Sequence, residues 1–338
     1  MEIYTIRDIA RKAGVAVSTV SRVLNGRPDV SEETRKRVMD LVEECGYVQN
    51  GNARFLKNTT SSFAAIIVRG RRNMFLSDVA EQMLACAQGL KTPFLIEYID
   101  EADDEFAAMR RLYTEKRTGG FILLGSRIDE RCEAVRMLGV PCVFATVDAS
   151  LSGLENASSV CIDDRAATRA MMDRLLAAGH RRVAVFGGCR VGEDIFAHRY
   201  QGALDSLREH GIDYDPDEYV QTRFSLVGAY EETKRFFGKH PDVTAVLTMS
   251  DTMAAGVIRA LVDLGLRVPQ DVSVTGFDGT EMAGYFIPSI ATVRQPTEEI
   301  ARESVKLLCD MLAGGEPRTV TVDYQMVEGE SIACAGSK

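Results

Sequence analysis

No C-x-x-C pair occurs in this sequence, and none of its four histidines stands at metal-ligand spacing. The eight cysteines, at 45, 86, 132, 142, 161, 189, 309 and 334, are scattered singly. That pattern excludes a zinc ribbon or dithiol redox motif and reads as buried, reduced thiols. Also missing is any apolar run approaching the ~20 residues that a membrane helix needs. The opening MEIYTIRDIARKAG lacks a basic segment followed by an apolar one, so no secretory signal is expected and the cytoplasm is the expected location. His180, His198, His210 and His240 form no evident triad, and GGCRVG lacks the G-K-[ST] of a phosphate-binding loop. Catalysis, a metal site and a cofactor are therefore not expected.

What is present is ordinary globular composition, 46% hydrophobic and 26% charged over 338 residues, enough for two or three domains. The formal charge of -9 is unevenly spread. Residues 1–60 hold ten basic against eight acidic residues, a net of +2; taken from totals of 40 and 49, that leaves 30 against 41, or -11, for the rest. Within 1–37 the balance is eight against five, or +3. A mildly basic end segment on an acidic chain suits a polyanion partner.

Residues 5–45 read as three short helices. Thr5 and Asp8 fit a capping box, and Ile6, Ile9, Ala10 and Ala13 repeat on one face before Gly14. A second helix points Val20, Val23 and Leu24 inward and stops at Asn25-Gly26 ahead of Pro28. Ser31 caps a third, with Val38, Leu41, Val42 and Cys45 inward and Gly46 at its end. Residues 46–61 read as a linker.

Beyond the linker, strand-like runs at 63–68, 94–99, 120–125 and 142–147 alternate with helical patterns, the clearest being 78–90 and 104–116. The rhythm restarts with helices at 164–178, 196–210, 227–237 and 253–264 around strands at 182–188, 244–250 and 271–279. A helix at 298–312 and one alternating run at 319–327 finish the chain. Strands alternating with helices predict parallel sheets covered on both faces, here in two lobes with a cleft between them.

By spacing, the first unit is a helix-turn-helix. Its second helix displays Val17, Ser18, Ser21, Arg22 and Asn25 to solvent, a set suited to phosphate oxygens and base edges. Arg22 can grip guanine O6 and N7, and Val17 can pack on a thymine methyl. The rival reading is a solvated amphipathic helix in some other three-helix domain.

TIRDIARKAGVAVSTVSRVLNGRPDVSEETRKRV, followed by NARFL, resembles the N-terminal signature of LacI/GalR-type bacterial transcription regulators. The likeness continues through AAGHRRVAVFGG, HRYQGALDSLREHGI, SDTMAAGVIRALVDLGLRVPQDVSVTGFDG and PSIATVRQPTEEIARESVKLL. It implies an α/β protein with an N-terminal helix-turn-helix domain and a two-lobed, periplasmic-binding-protein-like effector domain of parallel sheets. The implied domains are 1–46, a hinge helix or linker at 47–61, and 62–338, with lobes at about 62–160 plus 294–318 and 163–291 plus 321–338. The implied DNA-contacting set is Thr5, Val17, Ser18, Thr19, Ser21, Arg22, Asn25, Thr34, Asn50, Ala53 and Leu56. Leu56 matches a leucine that a paired hinge helix wedges into the minor groove, so an easily unstacked CG or TA step is expected at the operator centre.

The resemblance also implies a homodimer on near-palindromic double-stranded operator DNA, and a sugar or sugar derivative as effector. The implied effector contacts are Arg71, Met74, Phe75, Ser126, Thr146, Arg199, Phe224, Ser250, Asp251 and Asp278. For Arg199 and Asp278 the rival reading is a structural ion pair between lobes. Ala16 stands where the family usually has a serine cap, and Gly51 where its hinge helix starts. Ser250 replaces an asparagine, and Thr146 an aspartate common in sugar binders. With Arg69, Arg71 and Arg72 crowding one loop, that last departure suggests an acidic or phosphorylated sugar. Alternatives are a relative controlled mainly by a partner protein, or a cytoplasmic solute-binding protein.

Overall fold

The structure is a computed structural model that describes residues 6–24, 30–44, 63–128, 132–188 and 195–336. Its contacts divide the chain into two compact units, Met1–Ser61 and Ser62–Lys338.

The first unit holds α1 (Ile6–Ala13), α2 (Val17–Leu24) and α3 (Glu32–Glu44). Ile9, Ala10 and Ala13 of α1, Val20 and Val23 of α2 and Val38 of α3 close a small core, with Leu41 and Val42 half-buried beside it. Gly14 takes φ +66° and ends α1, and the Val15 amide returns to the Ala10 carbonyl at 3.1 Å. That left-handed turn is a position glycine adopts without strain, and it re-aims the chain into α2. The Ser31 hydroxyl accepts from the Thr34 amide at 3.4 Å at the start of α3.

The second unit begins with β1 (Ala64–Arg69), α4 (Met74–Ala87), β2 (Phe94–Ile99), α5 (Glu105–Lys116), β3 (Gly120–Leu124), α6 (Glu133–Leu138), β4 (Cys142–Ala145) and β5 (Ala157–Cys161). It continues with α7 (Asp164–Ala177), β6 (Val183–Gly187), α8 (Ile195–Glu209), β7 (Tyr219–Gln221), α9 (Leu226–Phe237), β8 (Ala245–Thr248), α10 (Asp251–Asp263), β9 (Ser273–Thr275) and α11 (Glu281–Tyr285). The end comprises β10 (Thr292–Arg294), α12 (Thr297–Leu312), β11 (Thr319–Thr321) and β12 (Gln325–Val327).

One sheet runs β11-β5-β4-β3-β1-β2 and another β7-β6-β8-β9, each wholly parallel. Every residue of β1 is buried. Ala64, Ile66 and Val68 join the core under α4 and α12, while Ala65 and Ile67 join the one under α5 and α6. Burial on both faces is why the strand reads as an unbroken apolar run. Each of Ile66, Ile67 and Val68 contributes about 1.5–3 kcal/mol of burial.

The run 319–327 is two strands rather than one. β11 pairs with β5 in the first-lobe sheet, whereas β12 pairs antiparallel with β10. Isolated bridges Thr275↔Ala291 and Asp278↔Arg294 continue the second-lobe sheet toward β10. The chain thus passes between lobes at 161–164, 294–297 and 321–325. Three crossings place the cleft at the carboxyl ends of both parallel sheets, where α/β folds hold ligands.

Candidate DNA-reading helix and ligand cleft

α2 is amphipathic in three dimensions as well as in sequence. Val20 and Val23 are buried, while Val17, at 42% exposure, Ser18 and Arg22 face outward and Thr19 is half-buried. Ala16 has the N-cap position: its carbonyl accepts from the Thr19 amide at 2.9 Å and the Val20 amide at 3.2 Å. Its methyl group has no acceptor for the free amides of the first turn. Thr34 lies half-buried on α3, its hydroxyl accepting from Ser31 at 2.9 Å. Thr5, Asn25, Asn50, Ala53 and Leu56 lie outside the described residues, as do Gly51 and the side chain of Ser21.

The candidate ligand cleft has a cavity volume of about 80 Å³. Of the expected effector contacts it is lined by Phe75, Ser126, Thr146, Arg199, Phe224 and Asp278. Each sits at or just beyond the carboxyl end of a parallel strand, or at the start of the helix that follows. Phe75 belongs to the first turn of α4, whose cap is Asn73, the side chain accepting from the Leu76 amide at 3.2 Å. Ser126 follows β3 and donates to Glu105 Oε1 at 2.7 Å. Phe224 and Phe196 form a tilted pair, with centroids 5.0 Å apart.

Thr146 and Asp278 share an unusual backbone, with φ +73° and +104°. Gly adopts positive φ freely and Asp or Asn tolerates it better than most, whereas a β-branched residue such as Thr146 there is a clear outlier. Both residues line the cleft, one from each lobe.

Arg199 is 1% exposed and largely committed within its own lobe. Its Nε donates to Asp164 Oδ1 at 2.7 Å and its Nη1 to the Met249 carbonyl at 2.6 Å. Nη2 stands 3.9 Å from Asp278 Oδ1, and the guanidinium lies 3.5 Å over the Phe277 ring. All of these partners belong to the second lobe, so the interlobe pair considered from sequence does not form.

Asp278 accepts instead from Gln295 Nε2 at 2.9 Å, on the crossing into α12. Burial pushes the Asp278 carboxyl up to about 8; Arg199 opposes that shift, and Asp251 and Asp164 add to it. Burial also raises Asp164, again against the pull of Arg199.

Four expected contacts do not line the cleft. Arg71 is exposed, and Met74, the first residue of α4, is 45% exposed. Ser250 caps α10 by accepting from the Met253 amide at 3.1 Å. Asp251 is wholly buried and accepts from the Thr280 amide at 2.6 Å, the Thr280 hydroxyl at 2.9 Å and the Thr292 hydroxyl at 2.6 Å. Short polar side chains at a strand-to-helix turn serve the backbone as readily as a ligand. Of the three crowded arginines, Arg69 lines the cleft and Arg72 is exposed.

Lining residues that sequence reading missed include Asn73, Glu101, Arg127, Ile195, Phe196 and Gln295. Glu101 and Arg127 follow β2 and β3, so counting two or three residues past each parallel strand would have found them. Gln295 carried no such signal, because the three-residue β10 is too short to read from pattern.

An outward-facing second helix in a helix-turn-helix, encoded with a two-lobed parallel α/β unit around a cleft, defines the ligand-responsive class of transcription regulator. Residues 5–50 match the bacterial regulatory proteins of the lacI family, and residues 172–332 match the periplasmic binding protein-like domain. The HTH-type transcriptional regulator MalR of Clostridium butyricum is 33% identical over 96% of this chain and 98% of its own length. The lac repressor dimer bound to operator and the anti-inducer ONPF superposes with TM-score 0.83 at 25% identity, covering 98% of this chain and 100% of that one. The CelR–cellobiose complex gives TM-score 0.72 at 28% identity over 97% and 99% of the two chains. The chain belongs to the LacI family of bacterial regulatory proteins; its relatives regulate transcription and are not enzymes.

Proposed function

We propose that this regulator is a homodimeric repressor of carbohydrate-related genes, acting in the bacterial cytoplasm and holding a sugar or sugar derivative in its cleft. The carrying observation is the cleft itself, with Phe75 and Thr146 from one lobe facing Arg199, Phe224 and Asp278 from the other. Aromatic faces beside a few fixed polar groups suit the apolar and hydroxylated sides of a sugar ring. A relative in complex with cellobiose and a ribose operon repressor support the same chemistry.

Two copies of α2 read the half-sites of a near-palindrome, with Val17, Ser18 and Arg22 toward base edges. Thr5, Thr19, Ser21, Asn25, Thr34, Asn50, Ala53 and Leu56 complete the proposed DNA-contacting set. The effector shifts operator affinity only by its differential affinity for two arrangements of the lobes.

The test is operator selection from random DNA with the full chain, followed by fluorescence anisotropy with cellobiose, maltose and ribose. A palindromic consensus whose affinity changes at least about tenfold with one sugar is expected, a coupling of ~1.4 kcal/mol. Selection of no consensus, or an affinity that no sugar or sugar derivative alters, would overturn the reading.

A further inference from the structure

Two polar atoms of cleft-lining residues are buried without a hydrogen-bonding partner: Arg127 Nε and Gln295 Oε1. Gln295 is 2% exposed and spends its amide nitrogen on Asp278, leaving acceptor capacity that the chain does not fill. Buried polar atoms without partners are costly, and in a ligand cleft they mark the groups a ligand supplies.

These two atoms lie in contrasting surroundings. Arg69 ends β1 and Arg127 follows β3, and those strands are paired from Ala64↔Gly120 to Val68↔Leu124. Strand order therefore brings two guanidinia to one end of the cleft. Arg69 donates to the Glu101 carbonyl, and Arg69, Arg127 and Arg223 all act electrostatically on the Glu101 carboxyl. Burial still raises that carboxyl, with Asp100 adding to the rise. The fourteen-residue helix α4 starts at the same end with Asn73, so its amide dipoles add positive potential there.

An adjoining basin of about 560 Å³ shares Glu101, Arg127, Phe196 and Phe224 with the cleft and adds Arg223. Asp100, Glu231 and Glu232 line that basin but not the cleft, so the cationic character belongs to the cleft end. The other end is acceptor-rich, because Asp164 already engages Arg199 and leaves Asp278 and Gln295 facing the ligand.

Taking the cleft as the effector site, we propose that the effector is a polyhydroxylated molecule with one anionic group, a carboxylate or a phosphate. Arg127 and Arg69 hold the anion beside the α4 N-terminus, while hydroxyls donate to Gln295 Oε1 and Asp278. Phe75 and Phe224 cover the apolar faces of the ring. The anion satisfies the orphaned Arg127 nitrogen, and a ligand hydroxyl satisfies the orphaned amide oxygen.

The experiment is calorimetry on the full chain with matched probes: glucose, glucuronate and glucose 6-phosphate; galactose and galacturonate; ribose and ribose 5-phosphate. One anionic probe is expected to bind at least about tenfold tighter than its neutral partner, the scale of a charge-assisted contact, with an advantage that shrinks as salt is raised. Comparing uronates with phosphates identifies the anion. Arg127→Gln should narrow that ratio, and Arg72→Gln, on the exposed flank, should preserve it. Thermal unfolding of each variant checks that it folds. A neutral sugar that binds as tightly as its anionic forms and releases operator overturns the anion proposal while leaving effector-gated regulation standing. An Arg127→Gln ratio equal to wild type does the same. If no probe binds or alters operator affinity, the anion proposal falls, and effector-gated regulation falls with it only if cellobiose and maltose also leave operator affinity unchanged.

Discussion

Arg199 Nε donates to Asp164 Oδ1 at 2.7 Å, with the two side chains 2% and 10% exposed. The bond ties the helix that opens the second lobe, α7, to the helix that lines the cleft, α8. Removing one partner of a buried pair leaves the other charge uncompensated. Arg199→Met would strand Asp164 and also remove the cation near Asp278. A loss of about 3–5 kcal/mol in unfolding free energy is expected, read by urea denaturation of the full chain. A loss below about 1 kcal/mol would show that Arg199 is held for the ligand rather than for the lobe.

The pH dependence follows from Asp278. Burial pushes its carboxyl up to about 8 in the folded chain, well above the usual carboxylate range, so between the two the native state holds a proton that the unfolded chain has released. The stability associated with that proton is fully present below pH 4 and is lost as pH rises through about 8. Asp278→Asn, which keeps a hydrogen-bonding side chain beside Gln295, removes this dependence. Relative to wild type, the variant should gain stability between pH 5 and 8, by up to ~1.4 kcal/mol per pH unit. Parallel stability curves for the two proteins would contradict this.

Ala16 offers a stabilising substitution. Its carbonyl already occupies the N-cap position of α2 and its side chain is exposed, so a hydroxyl there meets amides with room to spare. Ala16→Ser should stabilise the helix-turn-helix unit by about 1 kcal/mol, with a matching rise in its thermal transition by circular dichroism.

Of the base readers proposed on α2, the exposed Arg22 has the side chain able to grip guanine with two donors. Arg22→Ala should relax preference at one symmetric base pair per half-site by about 1–3 kcal/mol, measured against operators mutated one position at a time. A uniform loss on every sequence would make Arg22 a phosphate contact instead.

Legibility in the sequence followed physical cause. α1, α2 and α3 and the long apolar strands were readable, because burial on one face or two leaves a period. β5 was not, since ASSVC buries Ser158 and Ser159 with their hydroxyls satisfied by the Arg318 and Ala149 amides, and polar residues hide a strand. The three-residue β7 and β10 are too short to show any period. Within the cleft, Phe75, Arg199 and Asp278 were reachable from resemblance. Ser250 and Asp251 stand outside the cleft lining, because capping a helix, tying buried turns together and contacting a ligand call for the same short polar side chains. Gln295 is visible only once Asp278 has been placed beside it.

Thr146 carries a cost that its surroundings do not require. Its amide donates to the Val160 carbonyl at 2.7 Å, a bond that glycine makes equally well, while a threonine held at φ +73° costs of order 1–3 kcal/mol. Directed evolution for heat resistance alone should therefore drift toward glycine at this position. Survivors would be sturdier proteins with poorer chemical discrimination. Sequencing such a population with and without selection for ligand response would separate what this strand end does for endurance from what it does for sensing.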